Sequence, residues 1–202
     1  MNWLVSKLYD RFMSSTEAAS LGGWRAALLA DVSGAVLEIG AGTGANLGHY
    51  PEGLERLTLV EPDPNMRRIL AARVGEHVTL SAASADALDL ADASVDVAIS
   101  TLVLCSVPDP ALALAELRRV LKPGGRLLFL EHVAHKEPEP LAWQRRIEPV
   151  WVHLADGCRL TRDTEALIQE AGFAIDAITR GSMYPAPKFV RPTIRGVAIK
   201  RG

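Results

Sequence analysis

Apolar residues recur along this chain with two different periods, and the change from one to the other divides it. In "MNWLVSKLYDRFM", residues 1–13, Leu4, Leu8 and Phe12 stand four apart, flanked by Trp3, Val5, Tyr9 and Met13. Lys7, Asp10 and Arg11 interrupt them, which leaves the broad apolar stripe of an amphipathic helix. A second helix is predicted from Thr16 to about Leu29, with Thr16 as its cap. From residue 35 the apolar runs shorten. Residues 35–39, 57–61, 77–81, 95–100, 125–133, 173–180 and 193–200 read as short strands. Helical stretches lie between most of them. "PNMRRILAARV" has proline in its first turn, and "DPALALAELRRVLKPGG" opens on an Asp cap and stops at Pro-Gly-Gly. Strands alternating with helices predict an α/β fold, a doubly wound, mostly parallel seven-stranded sheet with helices on both faces. No clear helix separates the last two strands, so they are expected to form an antiparallel edge hairpin. A single domain over residues 1–202 is expected, with residues 1–34 as a helical cap.

Composition narrows the class. Apolar residues make up 49% and charged residues 23%, the balance of a folded soluble domain. A net charge of -2 offers no bulk attraction for nucleic acid, and no nucleic-acid partner is expected. No basic segment precedes a long apolar one, and the apolar run around "VAISTLVLCSV" is too short for a bilayer. Two cysteines, Cys105 and Cys158, make no disulfide framework. A cytoplasmic location is the expectation. A weak membrane-surface contact, with Lys7 and Arg11 meeting anionic lipid, is left open.

The most informative stretch is "LEIGAGTGANLGHYP", residues 37–51, where four glycines follow an apolar run that contains Glu38. In a doubly wound sheet a ligand sits beside the first strand, at its carboxyl end. Gly40 to Ala45 formally satisfies the dinucleotide pattern G-x-G-x-x-A, and Glu61 stands where an acidic residue would hold ribose hydroxyls. Taken alone, that describes an NAD site. Glu38 argues otherwise, because a carboxylate repels a pyrophosphate and favours a ligand carrying an amino group and a sulfonium. Asp86, in "SADALDL" after the third strand, is placed to read an adenine amino group.

"LEIGAGTG", "VEPD", "SADAL" and "VLKPGGRL", in that order, resemble the class I S-adenosyl-L-methionine (SAM) methyltransferases, over roughly residues 35–133. The resemblance implies a Rossmann-like domain with SAM as cofactor. It implies that the backbone of Gly40, Ala41, Gly42 and Gly44, with Asn46, lines the methionine part. Glu38 would brace the loop and Glu61 would accept from both ribose hydroxyls. Pro62 and Met66 would touch the adenine, Ala85 and Asp86 would meet its amino group, and Thr101 and Leu102 would face the transferable methyl.

The second half is more particular. "STLVLCSVPDP", the segment from "LEHVAHKEPEPLAWQ" through "DGCRLTRDT", and "RPTIRGVAIK" resemble the microsomal alkyl thiol methyltransferases, the methyltransferase-like seven family. The animal members carry a long apolar N-terminal anchor where this sequence shows a short amphipathic helix. The family implies in-line transfer of a methyl from SAM to a small, apolar thiol or hydrogen sulfide. The alternatives are a quinone, phenol, amine or lipid head group as acceptor, or a SAM-binding protein without catalysis. A thiol attacks as thiolate, so a modest base suffices. His132, His135 and Asp156 are the candidates, with His153 and Cys158 behind them. Asp156 in "DGC" also reads as a turn residue, Cys105 as a packed thiol, and Thr161 in "LTRDT" as a helix cap. No metal is expected, because two histidines three apart on a strand are poorly placed to share one.

Overall fold

The computed structural model describes residues 10, 11 and 13–201. Most of the helix expected over the first fourteen residues therefore lies outside the described residues. Residues 13–16 are helical and run without a break into a π-helical turn (Glu17–Leu21) and then helix α1 (Gly22–Leu29). Thr16 is accordingly not a cap. Its backbone is helical, and its side chain makes no capping hydrogen bond because the helix starts upstream of it.

The seven strands are β1 (Ala35–Ile39), β2 (Arg56–Val60), β3 (Val78–Ser81), β4 (Val95–Thr101), β5 (Leu121–His132), β6 (Phe173–Ser182) and β7 (Pro192–Lys200). They form one sheet in the order β3-β2-β1-β4-β5-β7-β6. β7 runs antiparallel to both neighbours, while β1 to β5 pair in parallel. The direction of winding reverses between β1 and β4, which opens a crevice at their carboxyl ends.

Helices α2 (Pro64–Ala71) and α3 (Pro110–Val120) each start with proline behind an aspartate cap. Asp63 accepts from the Asn65 and Met66 amides, and Asp109 from Ala111 and Leu112. Helix α4 (Pro138–Leu154) follows β5, and α5 (Thr164–Glu170) precedes β6. The cap of α5 is Asp163, which accepts from the Ala166 amide. Thr161, the expected cap, instead donates its hydroxyl and amide to Glu148, both at 2.7 Å.

The sheet buries both faces. Leu37, Ile39, Leu117 and Phe129 belong to one cluster, and Val36, Leu59, Ile99, Leu29 and Leu70 to another. Alternate residues of β1 thus face opposite layers. Glu38 shares its face with Val36, under α1. A third cluster lies by the ends of β5 and β7 and includes Leu21, Leu130, Leu160, Met183 and Val190. Among the described residues, no helix is long and apolar enough to cross a membrane.

Candidate active site

The glycine loop leaves β1 in left-handed backbone, with φ of 57°, 58° and 94° at Gly40, Gly42 and Gly44. The reasons for glycine differ along it. A Cβ on Gly40 would lie 2.5 Å from the Val103 side chain, so packing from the loop after β4 demands glycine there. A Cβ on Gly42 would meet nothing closer than 4.0 Å, so this α-carbon borders open space at the sheet edge.

Glu38 is buried and holds the loop from beneath. Its carboxylate accepts from Asn46 Nδ2 at 2.8 Å and from the Tyr50 hydroxyl. Arg25 of α1, only 4% exposed, donates to Asn46 Oδ1 at 2.9 Å and to Thr101 Oγ1 at 2.8 Å. Its other donors reach the Glu17 carboxylate on the π-helical turn at 3.2 and 3.3 Å. Burial pushes Glu38 above the usual carboxylate range, partly offset by Tyr50 and by the Arg25 charge. Glu61, at the carboxyl end of β2, accepts from the Gly42 amide at 2.7 Å and from the Asp63 amide at 2.9 Å. Burial raises it as well. Met66 is buried in the first turn of α2 and Pro62 is exposed beside it. Ala85 is buried, and Asp86 accepts from the Ser84 hydroxyl in the turn after β3. The expected cofactor residues thus line one continuous edge. Arg25 and Tyr50 also belong to this network, and no local motif marks either.

Beyond Thr101 the character changes. Leu102 is left-handed (φ 61°), and its amide donates to the Leu130 carbonyl at 2.7 Å. The following loop is held by Glu131, a fully buried carboxylate that accepts from Ser100 Oγ at 2.6 Å and from the amides of Val103, Leu104 and Cys105. Burial raises Glu131 too. Next to it on β5, His132 is 2% exposed, and neither ring nitrogen has a hydrogen-bond partner. Trp151 Nε1, from α4, is likewise buried and unpartnered. Trp151 meets Phe189 edge-to-face with ring centroids 5.1 Å apart. With Leu102, Ile147 and Met183 they belong to the third apolar cluster, into which Met13 also packs.

The other two candidate bases are not brought to this wall. His135 pairs with the exposed Glu137 at 3.0 Å and lines a cleft of about 1670 Å³ that Ile147 and Phe189 of the third cluster also line. Asp156 is exposed in a left-handed turn (φ 48°), the turn role that "DGC" also allowed.

Residues 37–129 match the model of a methyltransferase domain. A SAM-dependent methyltransferase of Thermotoga maritima shares the fold, with a TM-score of 0.73 at 24% identity over 98% of each chain. Over 176 residues the chain is 42% identical to the thiol S-methyltransferase TMT1B of Rattus norvegicus, covering 82% of this chain and 70% of the rat protein. Thiol S-methyltransferase TMT1A of Homo sapiens is 39% identical over 172 residues with the same coverage. A relative this similar over 82% of the chain shows that the protein belongs to the thiol S-methyltransferase family of class I, SAM-dependent methyltransferases.

Proposed function

We propose that this protein transfers a methyl group from SAM to a small, apolar thiol taken as its thiolate. One observation carries the acceptor half of that reading: His132, with both ring nitrogens buried and unpartnered, stands by an apolar cluster that holds aromatic and thioether side chains. A dry wall of that kind suits an uncharged, soft acceptor. His132 offers a buried nitrogen base there, and a thiol must lose its proton to attack.

The glycine half fits the cofactor. Glu38 and Glu61 concentrate negative charge where a cationic ligand is favoured, and the open α-carbon of Gly42 leaves room for it. A carboxylate has acceptors to spare, so Glu61 takes two ribose hydroxyls besides its two amides. Met66 and Pro62 flank the adenine, with Ala85 and Asp86 at its amino group. Asn46, Thr101 and Arg25 border the amino-acid end, and Leu102 stands where the two halves meet. When bound, SAM supplies a methyl made electrophilic by the sulfonium charge. The chain supplies alignment and exclusion of water.

Asp10 and Met13 touch different halves, and we assign the N-terminal segment that carries them to a lid on a single-domain enzyme. Asp10 accepts from Thr43 Oγ1 at 2.5 Å and pairs with Arg73 at 2.6 Å beside the glycine loop. Met13 packs in the third cluster, on the acceptor side. Lys7 and Arg11 give the same segment a weak affinity for anionic lipid surfaces, which vesicle co-sedimentation measures.

Labelled SAM incubated with thiols, phenols, quinones and amines tests the acceptor. Thioether products alone are expected. Methylation of a phenol, quinone or amine with no thiol product overturns the acceptor class. SAM binding with no product from any of them overturns catalysis.

A further inference from the structure

Two cysteine-bearing segments are pressed together beside the acceptor wall. After α4 the chain turns through Asp156 and Gly157, both left-handed. A Cβ on Gly157 would lie 2.8 Å from the Ser106 carbonyl oxygen, so only glycine lets this turn lie flat on the loop after β4. The Arg159 amide then donates to the Cys105 carbonyl at 2.9 Å. One hydrogen bond therefore joins the peptide groups that adjoin Cys105 and Cys158, which sets the two residues side by side. The Cys105 side is fixed as well, because Glu131 accepts its amide and Arg162 donates to the Leu104 and Val107 carbonyls at 2.6 and 2.9 Å.

The two thiols are unlike. Cys105 is buried and Cys158 is partly exposed. Cys105 holds the Cys158 thiol well below the ordinary thiol range, helped by His132 and Trp151 and opposed by burial. Cys158 and burial in turn push Cys105 up, so the proton stays there. His132 and Trp151 flank Cys158 and stabilise its thiolate. A partly exposed thiolate with a protonated thiol behind it is the arrangement of an attacking and a resolving cysteine.

We infer that Cys158 and Cys105 form a thiol–disulfide exchange centre that takes the oxidised form of the acceptor class, a small organic disulfide RSSR, and releases it as two thiols. The inference rests on the thiol-acceptor reading above. Cys158 sulfur attacks one sulfur of RSSR, the S–S bond breaks, and the first RS⁻ leaves. Cys105 gives up its proton, attacks Cys158 sulfur in the mixed disulfide, and the second RS⁻ leaves. RSSR gains two electrons and the cysteine pair loses two. The one proton of the pair, carried by Cys105, ends on a released thiol or in solvent. Each RS⁻ appears beside the wall from which methylation would take it.

The test needs no SAM and no methyl transfer, so its failure is distinct from failure of the acceptor reading. Reduced full-length protein, freed of reductant and held without oxygen, is mixed with dithiodipyridine, whose released thiol absorbs light. The chain has two cysteines, so every equivalent can be assigned. The wild type should release about two equivalents per chain and end about 2 Da lighter, as an intramolecular disulfide. Cys105→Ser should release one equivalent and keep a stable adduct on Cys158. Cys158→Ser should lose the fast phase, reacting at least about tenfold more slowly. A wild-type product that carries pyridine adducts in place of the internal disulfide overturns the inference, and so does a Cys158→Ser variant as fast as wild type. If either variant misfolds, as near-UV circular dichroism would reveal, the wild-type mass decides alone.

Discussion

At the carboxyl edge of the sheet, the half built on β1 and β2 closes its polar groups on one another, whereas the half built on β4 and β5 leaves the nitrogens of His132 and Trp151 without partners. The first half holds Glu38, Asn46 and Arg25 in one network that reaches across to Thr101 at the end of β4, which suits a ligand with many polar groups to be met at fixed positions. The second buries its carboxylate, Glu131, in loop support and turns one titratable ring toward soft, apolar neighbours. The difference teaches a division of labour: preorganised recognition on one side, and a dry surface with one proton acceptor on the other. A variant in one half should therefore spare the function of the other.

Removing residues 2–14 breaks the comparison most severely, because Asp10 meets the glycine-loop side and Met13 packs in the third cluster. Turnover should be abolished while SAM binding is largely kept, as no SAM motif lies there. Steady-state rates and calorimetric titration measure the two. A truncated protein that methylates small thiols at the intact rate reduces the segment to packing.

His132→Asn tests the second half alone. The expected loss is about a hundredfold in kcat, the lower range for a general base, with SAM affinity unchanged. The pH profile of kcat/KM should differ in shape between the wild type and the variant, whose asparagine offers no basic nitrogen. An unchanged profile removes His132 from proton transfer.

Glu61→Ala tests the first half. Losing two charge-assisted hydrogen bonds should weaken SAM binding by on the order of 2–4 kcal/mol. Calorimetry that returns the wild-type Kd excludes Glu61 from the site.

The smallest effect is electrostatic. Glu38 and Glu61 are both raised by burial, so folding disfavours their charged forms relative to the unfolded chain. Their contribution to stability is fully present below the ordinary glutamate value of 4.5 and fades as pH rises through the raised values. Over the same window they become charged and attract a cation more strongly. The Tm increase at saturating SAM should therefore be larger at pH 8 than at pH 5. A larger increase at pH 5 contradicts the assigned sign.

Legibility in the sequence followed the range of the interactions. The strands, the glycine loop and the capped starts of α2 and α3 are written in residues that touch near neighbours, such as Asp63 and Pro64. The two cap expectations that did not hold were decided by more distant parts of the chain. Thr16 lies inside a helix begun upstream, and Thr161 is taken by Glu148 on α4. Arg25 reaches Thr101 across 76 positions, and no spacing rule foretells that. His132 and His135 looked alike in "EHVAH", yet one ends a buried strand and the other lies on a surface loop with Glu137. Only the packed molecule separates them.

The place of β7 has a consequence for how the chain is made. β7 lies between β5 and β6, although β6 precedes it in sequence. During synthesis β6 emerges with no strand to pair with, and the free edge of β5 stays bare until residues 192–200 arrive and slot between them. Thr193 is the partner of His132 across that last seam. A nascent chain can therefore assemble the glycine-loop side while it is still being translated, but the acceptor wall is completed only when β7 has left the ribosome.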